Sequence, residues 1–381
     1  MFARAGELAE RGDEAYWRGD FAAARAFYEE GVAQGDGEAM VSLGEALQDG
    51  FEGKVDNAAA VRLFRMADEA GYWWGSYNLA DALVCGCGVD KIDAPAAATL
   101  RTKAVRLARE AYEKTKSPDA AYLLAIAHEE GKGAVEDEDA TAEYCRYMLR
   151  MDIAMPKCER LYAASTLGGA AAGIIFGEDD DDGEEDAVQA AKDIMMAGYW
   201  LGKFAKEGVN PEAMSDYADF CMDTGKAKRS RKYDRMAFGA FLERAEKGSV
   251  ADMARAGEWL ADGIGCTKDA ALAEKWLRKA VDAGDAMAMV TLANVVRKGG
   301  NSAEAWGLLA RALAAGEPEA LWHMAVWAAF GYGGEKNDSV ALKFLKKAAD
   351  MGYKHAEDVL EEDDPVAALR DAAIDCGDAD E

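Results

Sequence analysis

Between Asp252 and Gly284 the apolar residues recur on a helical rhythm, broken once by a pair of glycines. Ala256, Gly257 and Leu260 lie at i, i+1 and i+4, which predicts one apolar helix face with a notch free of side chains. Gly263 and Gly265 then interrupt the pattern, because glycine takes positive φ cheaply and costs about 1 kcal/mol inside a helix. Leu272, Ala273, Trp276, Leu277, Ala280 and Val281 form a second stripe, which Gly284 ends as a C-terminal cap. The unit is helix, glycine turn, helix. Neither short helix buries its face alone, so each unit needs neighbours.

The pattern repeats. Glycines close the second helix at Gly35, Gly71, Gly248, Gly284, Gly316 and Gly352, with successive spacings of 36 or 32 residues wherever two units adjoin. Bulky residues stand eight and seven positions before them, as in Leu63/Phe64, Trp276/Leu277, Leu308/Leu309 and Phe344/Leu345. The first helices recur as Ala39–Leu43–Gly44–Leu47, Gly75–Leu79–Ala80–Leu83, Ala120–Leu124–Ala125, Ala213–Tyr217–Ala218, Ala288–Leu292–Ala293 and Ala320–Met324–Ala325–Ala328. A period in this range indicates a solenoid rather than compact domains.

At these residues the chain resembles the Sel-one-like repeats, close relatives of tetratricopeptide repeats. The family's G-x-G-V turn has counterparts at Gly86–Val89, Gly131–Ala134, Gly263–Cys266 and Gly331–Gly334. The resemblance implies an all-α fold, a right-handed superhelical solenoid of about eight helix-turn-helix repeats. It also implies a non-enzymatic scaffold or adaptor that holds a partner protein. The expected organisation is a tetratricopeptide-like hairpin at 3–35, repeats at 37–150, a degenerate unit at 151–209, repeats at 210–353, and a capping helix with tail at 354–381. Within the degenerate unit, Leu167–Gly177 is expected to end a buried helix and Ala187–Lys206 to form another. The stretch KAKRSRKYDR (226–235) is expected to be an enlarged loop, solvated or paired with the acidic run 178–186.

Half of the 381 residues are hydrophobic, so burial is ample, and with 39 glycines against 6 prolines the glycine belongs to turns and helix crossings. A net charge of −27 argues against nucleic acid, whose binding needs basic surface to release counterions, and against an anionic membrane. A basic or amphipathic protein or peptide is the natural complement. The first residues, MFARAGELAERGDEAYW, hold no apolar core of secretory-signal length, and no run approaches the roughly 18 apolar residues of a spanning helix. Seven cysteines without framework spacing favour free thiols and a cytoplasmic location.

Candidate chemistry is sparse. The glycine pairs lack the strand–loop–helix setting of phosphate-binding loops, and they recur as turns between helices. His128, His323 and His355 stand without HExxH, GxSxG or SxxK patterns, so no catalytic residue and no cofactor is expected. Some relatives bind or cleave β-lactams, which makes such an enzyme the first rival; no acylable serine stands beside a lysine here. The second rival is a calcium-responsive regulator using 178–189. Acids at Glu178, Asp180, Asp182, Glu184 and Asp186 with Gly183 sixth follow the EF-hand spacing, but Gln189 at the twelfth position offers no bidentate carboxylate.

In tetratricopeptide arrays the first helices line the concave face, and ligands touch set positions around the signature leucine. Carried onto this chain, the resemblance gives Glu45, Asp49, Tyr77, Asp81, Tyr122, Glu130, Asp219, Asp223, Glu258, Asp262, Trp322 and Phe330 as partner-binding candidates. A carboxylate strip with aromatic platforms suits a peptide carrying Lys or Arg, through charge-assisted hydrogen bonds and cation–π contacts.

Overall fold

The computed structural model describes residues 6–150, 163–166, 192–193, 195, 197–199, 201–203, 205–206, 210–362 and 364–375. The acidic run 178–186, the calcium reading of 178–189 and Leu167–Gly177 lie outside them. Positions 192–206 that are described are helical. The chain runs α1 (Glu7–Trp17), α2 (Phe21–Ala33), α3 (Gly37–Gln48), α4 (Asn57–Glu69), α5 (Trp73–Cys85), α6 (Ala94–Thr115), α7 (Pro118–Glu129) and α8 (Glu138–Arg150). It resumes with α9 (Pro211–Asp223), α10 (Ala227–Glu246), α11 (Val250–Asp262), α12 (Ala270–Asp282), α13 (Ala286–Lys298), α14 (Ser302–Ala314), α15 (Glu319–Phe330) and α16 (Asp338–Asp350). Two short helices, α17 (Lys354–Leu360) and α18 (Pro365–Asp375), cover the last hairpin.

Each odd-numbered helix from α1 to α15 pairs with the next as an antiparallel hairpin, and the hairpins stack in succession from α1 to α8 and again from α9 to α16, which makes the described residues an all-α solenoid. Polar caps start the helices: Asp56, Asp285 and Asn337 accept backbone N–H bonds at 2.8, 2.8 and 3.1 Å, each cap contributing about 1 kcal/mol. The closing glycines end the second helices with φ between 79° and 107°. Gly88, the second glycine of its turn, has φ +70°, and a Cβ there would stand 2.2 Å from the Asn57 carbonyl of the preceding repeat. That contact explains the G-x-G spacing, since the second glycine lets one repeat's turn close on its neighbour's helix.

Two expectations need correction. Residues 227–235 are the first turns of α10, not a loop. Lys and Arg are good helix formers, and Ser230, Tyr233, Ala237 and Phe241 supply a buried face, with Tyr233 against Tyr217 at 4.9 Å and Phe241 against Trp259 at 5.2 Å. Leu272, placed by its spacing in the apolar stripe of α12, is exposed at that helix's first turn.

The array curls until its later repeats meet its earlier ones. The Val55 N–H donates to the Ala283 carbonyl (3.1 Å), and the Val250 and Ala251 N–H groups donate to Gly50 (3.3 Å) and Asp49 (3.1 Å). The Cys87 thiol donates to the Ala315 carbonyl (3.5 Å), and Lys354 pairs with Glu136 at 3.0 Å. Arg244 closes this seam from the inside. It pairs with Asp252 at 2.7 Å and donates to the Tyr16 and Trp17 carbonyls at 3.3 and 3.2 Å. At Gly316 (φ +99°) a Cβ would sit 2.1 Å from the Cys85 carbonyl. Gly316→Ala is therefore expected to cost about 1–3 kcal/mol by overpacking, and to loosen the seam. A larger radius of gyration by small-angle scattering and faster proteolysis of the variant would show it; an unchanged radius would argue against seam closure in solution.

Candidate functional site: an acidic aromatic lumen

The inner wall of the curl is built from the first helices. Asp13, Tyr16 and Trp17 come from α1; Glu38, Ser42, Glu45 and Asp49 from α3 and its end; Trp74 from α5, Tyr72 before it; and Asp119 and Tyr122 from α7. With Tyr28 of α2 they line a cavity of about 410 Å³. Its wall holds five carboxylates and six aromatic rings, and neither lysine nor arginine. Neutral donors hold the acids in place. Tyr28 donates to Asp13 (2.7 Å), Tyr16 to Asp49 (2.8 Å) and Asn78 to Glu45 (2.7 Å). Asp119 accepts from Trp74 Nε1 (2.6 Å) and the Tyr72 hydroxyl (3.1 Å). The Trp74 and Tyr122 rings lie 5.1 Å apart.

Charge without compensation moves the protonation of these groups. Burial pushes the Glu38 carboxyl up to about 8, and the negative charges of Asp119, Asp13 and Asp36 add to the effect. Burial raises Glu45 to about 7 and Asp13 to about 6, against the hydrogen bonds from Asn78 and from Tyr28 and Ser42. Asp49 is raised by burial and by Asp252 and Asp285 across the seam, partly offset by Arg244. Glu45 and Asp49 keep exposed surface, although chain atoms crowd both at longer range. The later repeats behave alike: burial raises Glu212, Asp216 and Glu317 each to about 7.

Of the residues expected on the concave face, Glu45, Asp49 and Tyr122 line the cavity together. The other nine lie elsewhere. Tyr77 is buried, its hydroxyl donating to Glu130 at 2.7 Å, and Asp81 is bound to Arg101 at 2.6 Å. Glu258 pairs with Arg255 at 3.3 Å; Asp219, Asp223 and Asp262 are exposed. Trp322 is 3% exposed, packed at 5.9 Å from Tyr353 and 6.1 Å from His355, and so offers no open platform. Phe330 stacks on Tyr332 at 5.6 Å. His323 is buried, with Glu319 at 3.4 Å and Asn294 at 3.5 Å on its two nitrogens.

The positions two before, two after and six after the signature leucine missed most of the cavity. Five residues before that leucine stand Glu38, Trp74 and Asp119, and the same position in later repeats holds Glu212 and Glu319. This is the first turn of each first helix, where the positive end of the helix dipole favours an acid. That register was visible in the sequence. Tyr16, Trp17 and Tyr28 were not, because they belong to the shortened first hairpin whose register differs.

The Sel1 repeat model matches residues 37–72, 118–148, 250–285 and 318–353, the hairpins α3–α4, α7–α8, α11–α12 and α15–α16. The chain carries Sel1 repeats. Among solved structures, this Sel1-repeat array is similar to a Sel1 repeat protein from Oxalobacter formigenes, at 22% identity over 88% of each chain with a TM-score of 0.34. It is also similar to c5321, a protective antigen present in uropathogenic Escherichia coli strains and displaying an SLR fold, at 18% identity over 97% of this chain and 79% of that one, with a TM-score of 0.34. Yeast Tom70 matches at 13% identity over 87% and 80%, with a TM-score of 0.30. No curated protein matches the array. Among the described residues, no helix is long and apolar enough to cross a membrane, and Cys85, Cys87, Cys145, Cys221 and Cys266 are free thiols.

Proposed function

We propose that this Sel1-repeat array is a non-enzymatic scaffold that holds a basic segment of a partner protein in its inner cavity. The observation that carries the reading is the composition of that wall: five carboxylates and six aromatic rings with no cation of their own. An ammonium or guanidinium group entering the cavity meets carboxylates for charge-assisted hydrogen bonds and ring faces for cation–π contact. The acids are already oriented by tyrosine, tryptophan and asparagine donors, so little ordering is needed on the scaffold side. Because the curl closes on itself, the partner enters as a side chain or an extended strand, not as a globular face.

Neutralising Glu38→Gln, Glu45→Gln and Asp49→Asn together tests this. Affinity for an arginine-rich peptide at pH 8, measured by isothermal titration, is expected to fall at least tenfold. The fold should survive, since amides of the same shape replace the acids and relieve the repulsion among them. Equal affinity of the triple variant and the wild type would sink the reading.

A further inference from the structure

The densest basic stretch of this acidic chain belongs to a helix, and that changes what it presents. Lys228, Arg231, Lys232 and Arg235 stand at i, i+3, i+4 and i+7 of α10, one face about 10 Å long. All four are exposed, while Ser230, Tyr233 and Ala237 occupy the buried side. Among the described residues, none of the four pairs with a carboxylate. The nearest acid in sequence, Asp234, accepts from Ser230 (3.3 Å), and Arg229 donates to the Tyr217 hydroxyl (3.3 Å). Lys226, at the start of the helix, caps nothing with its side chain and reaches Thr224 (3.1 Å). Lys232 lies 5.2 Å from the Tyr233 ring, and in a chain of net charge −27 this face holds no ion pair among the described residues.

We propose that this face of α10 docks a short acidic peptide segment of a partner protein. An extended peptide advances about 3.3 Å per residue, so the strip accommodates roughly three or four residues, with two arginines able to grip carboxylates through two parallel hydrogen bonds. Length and surroundings favour a short segment over nucleic acid. Beyond Arg235 the next acids on α10 are Glu243 and Glu246, and neighbouring α9 exposes Asp219 and Asp223. A strand of phosphates running past the strip meets like charge at either end; a short acidic peptide stops where the cations stop. The face is separate from the lumen and takes a ligand of opposite charge, so the two sites stand or fall independently.

Fluorescence anisotropy of fluorescein-labelled hexaglutamate with the full chain tests the proposal, with labelled hexaglutamine as control and a ten-residue oligothymidylate as competitor. Hexaglutamate is expected to bind while hexaglutamine does not, to weaken as salt rises, and to lose at least tenfold in affinity in the Lys228→Glu, Arg231→Glu, Lys232→Glu, Arg235→Glu variant. Acids suit the N-terminal half of a helix, so that variant should keep its circular dichroism; the matching four-fold Gln variant provides a second reading if it does not. Equal binding of hexaglutamate to wild type and variants overturns the proposal. So does displacement by the oligonucleotide at lower concentration than by unlabelled hexaglutamate.

Discussion

Replacing Arg244 with alanine is expected to destabilise the protein by about 3–5 kcal/mol, the usual cost of removing one partner from a buried ion pair. The side chains of Arg244 and Asp252 are 5% and 4% exposed, so solvent screens their interaction little. Alanine would leave the Asp252 carboxylate buried without its cation. It would also strip donors from the Tyr16 and Trp17 carbonyls and remove a guanidinium that lies 5.0 and 5.2 Å from those two rings. The lost contacts are more than 220 residues apart in sequence, so the damage should appear at both ends of the seam. Chemical denaturation of wild type and variant gives the difference. Pairing Arg244→Met with Asp252→Leu should recover much of it, since a buried pair replaced by apolar groups of similar size is often neutral. An unchanged midpoint for the alanine variant would mean that the seam is not latched there.

Stability is expected to fall as pH rises from about 5 to 8.5, the reverse of ordinary acid denaturation. In the unfolded chain the carboxyls of Glu38, Glu212 and Glu317 ionise near 4.5; in the fold burial moves them up to about 8, 7 and 7. Below the unfolded value both states hold the protons and the effect vanishes. Between the two values the folded chain binds more protons than the unfolded one, so each rise in pH favours unfolding, and the loss is complete above the folded value. A tenfold difference in proton affinity between the two states is worth about 1.4 kcal/mol, so a tenfold difference at each of the three groups gives about 4 kcal/mol. Thermal melts at pH 5.5 and 8.5 should differ by roughly 5 °C or more. A cationic peptide seated in the lumen should narrow that gap by raising the melting temperature most at pH 8.5. Melts that rise with pH would contradict the account of the lumen acids.

Most of the fold was legible because it is local. The 36-residue recurrence of glycine, the stripe Trp276–Leu277–Ala280–Val281 and the cap at Gly284 each act within a few turns of helix, and a sequence records such things directly. The stretch 226–235 reads as a loop by its density of charge, although its apolar spacing is helical. Ser230, Tyr233 and Ala237 carried the signal for α10. The cavity was partly legible: the acidic inner face could be expected, and Glu45, Asp49 and Tyr122 do line it. Trp322 and Tyr77 show the limit. An aromatic residue at a groove register serves as a platform or fills the gap between repeats according to what the next hairpin places over it, here Tyr353 above Trp322. Seam closure left no trace in the pattern, since the contacts that make it are mostly backbone groups such as those of Gly50, Ala283 and Ala315.

Those backbone contacts alter how the chain can come apart. An open row of repeats touches only its nearest neighbours, so it can fray from either end and fold from any point. Here the α1–α2 hairpin is tied to α10 and the α3–α4 hairpin to the end of α12, which raises the mean sequence separation of contacting residues well above that of a linear stack. Assembly must bring distant segments together before those ties contribute, which slows it. In return the earlier and later repeats support each other, and they unfold as a larger cooperative block than the simple, repetitive sequence suggests.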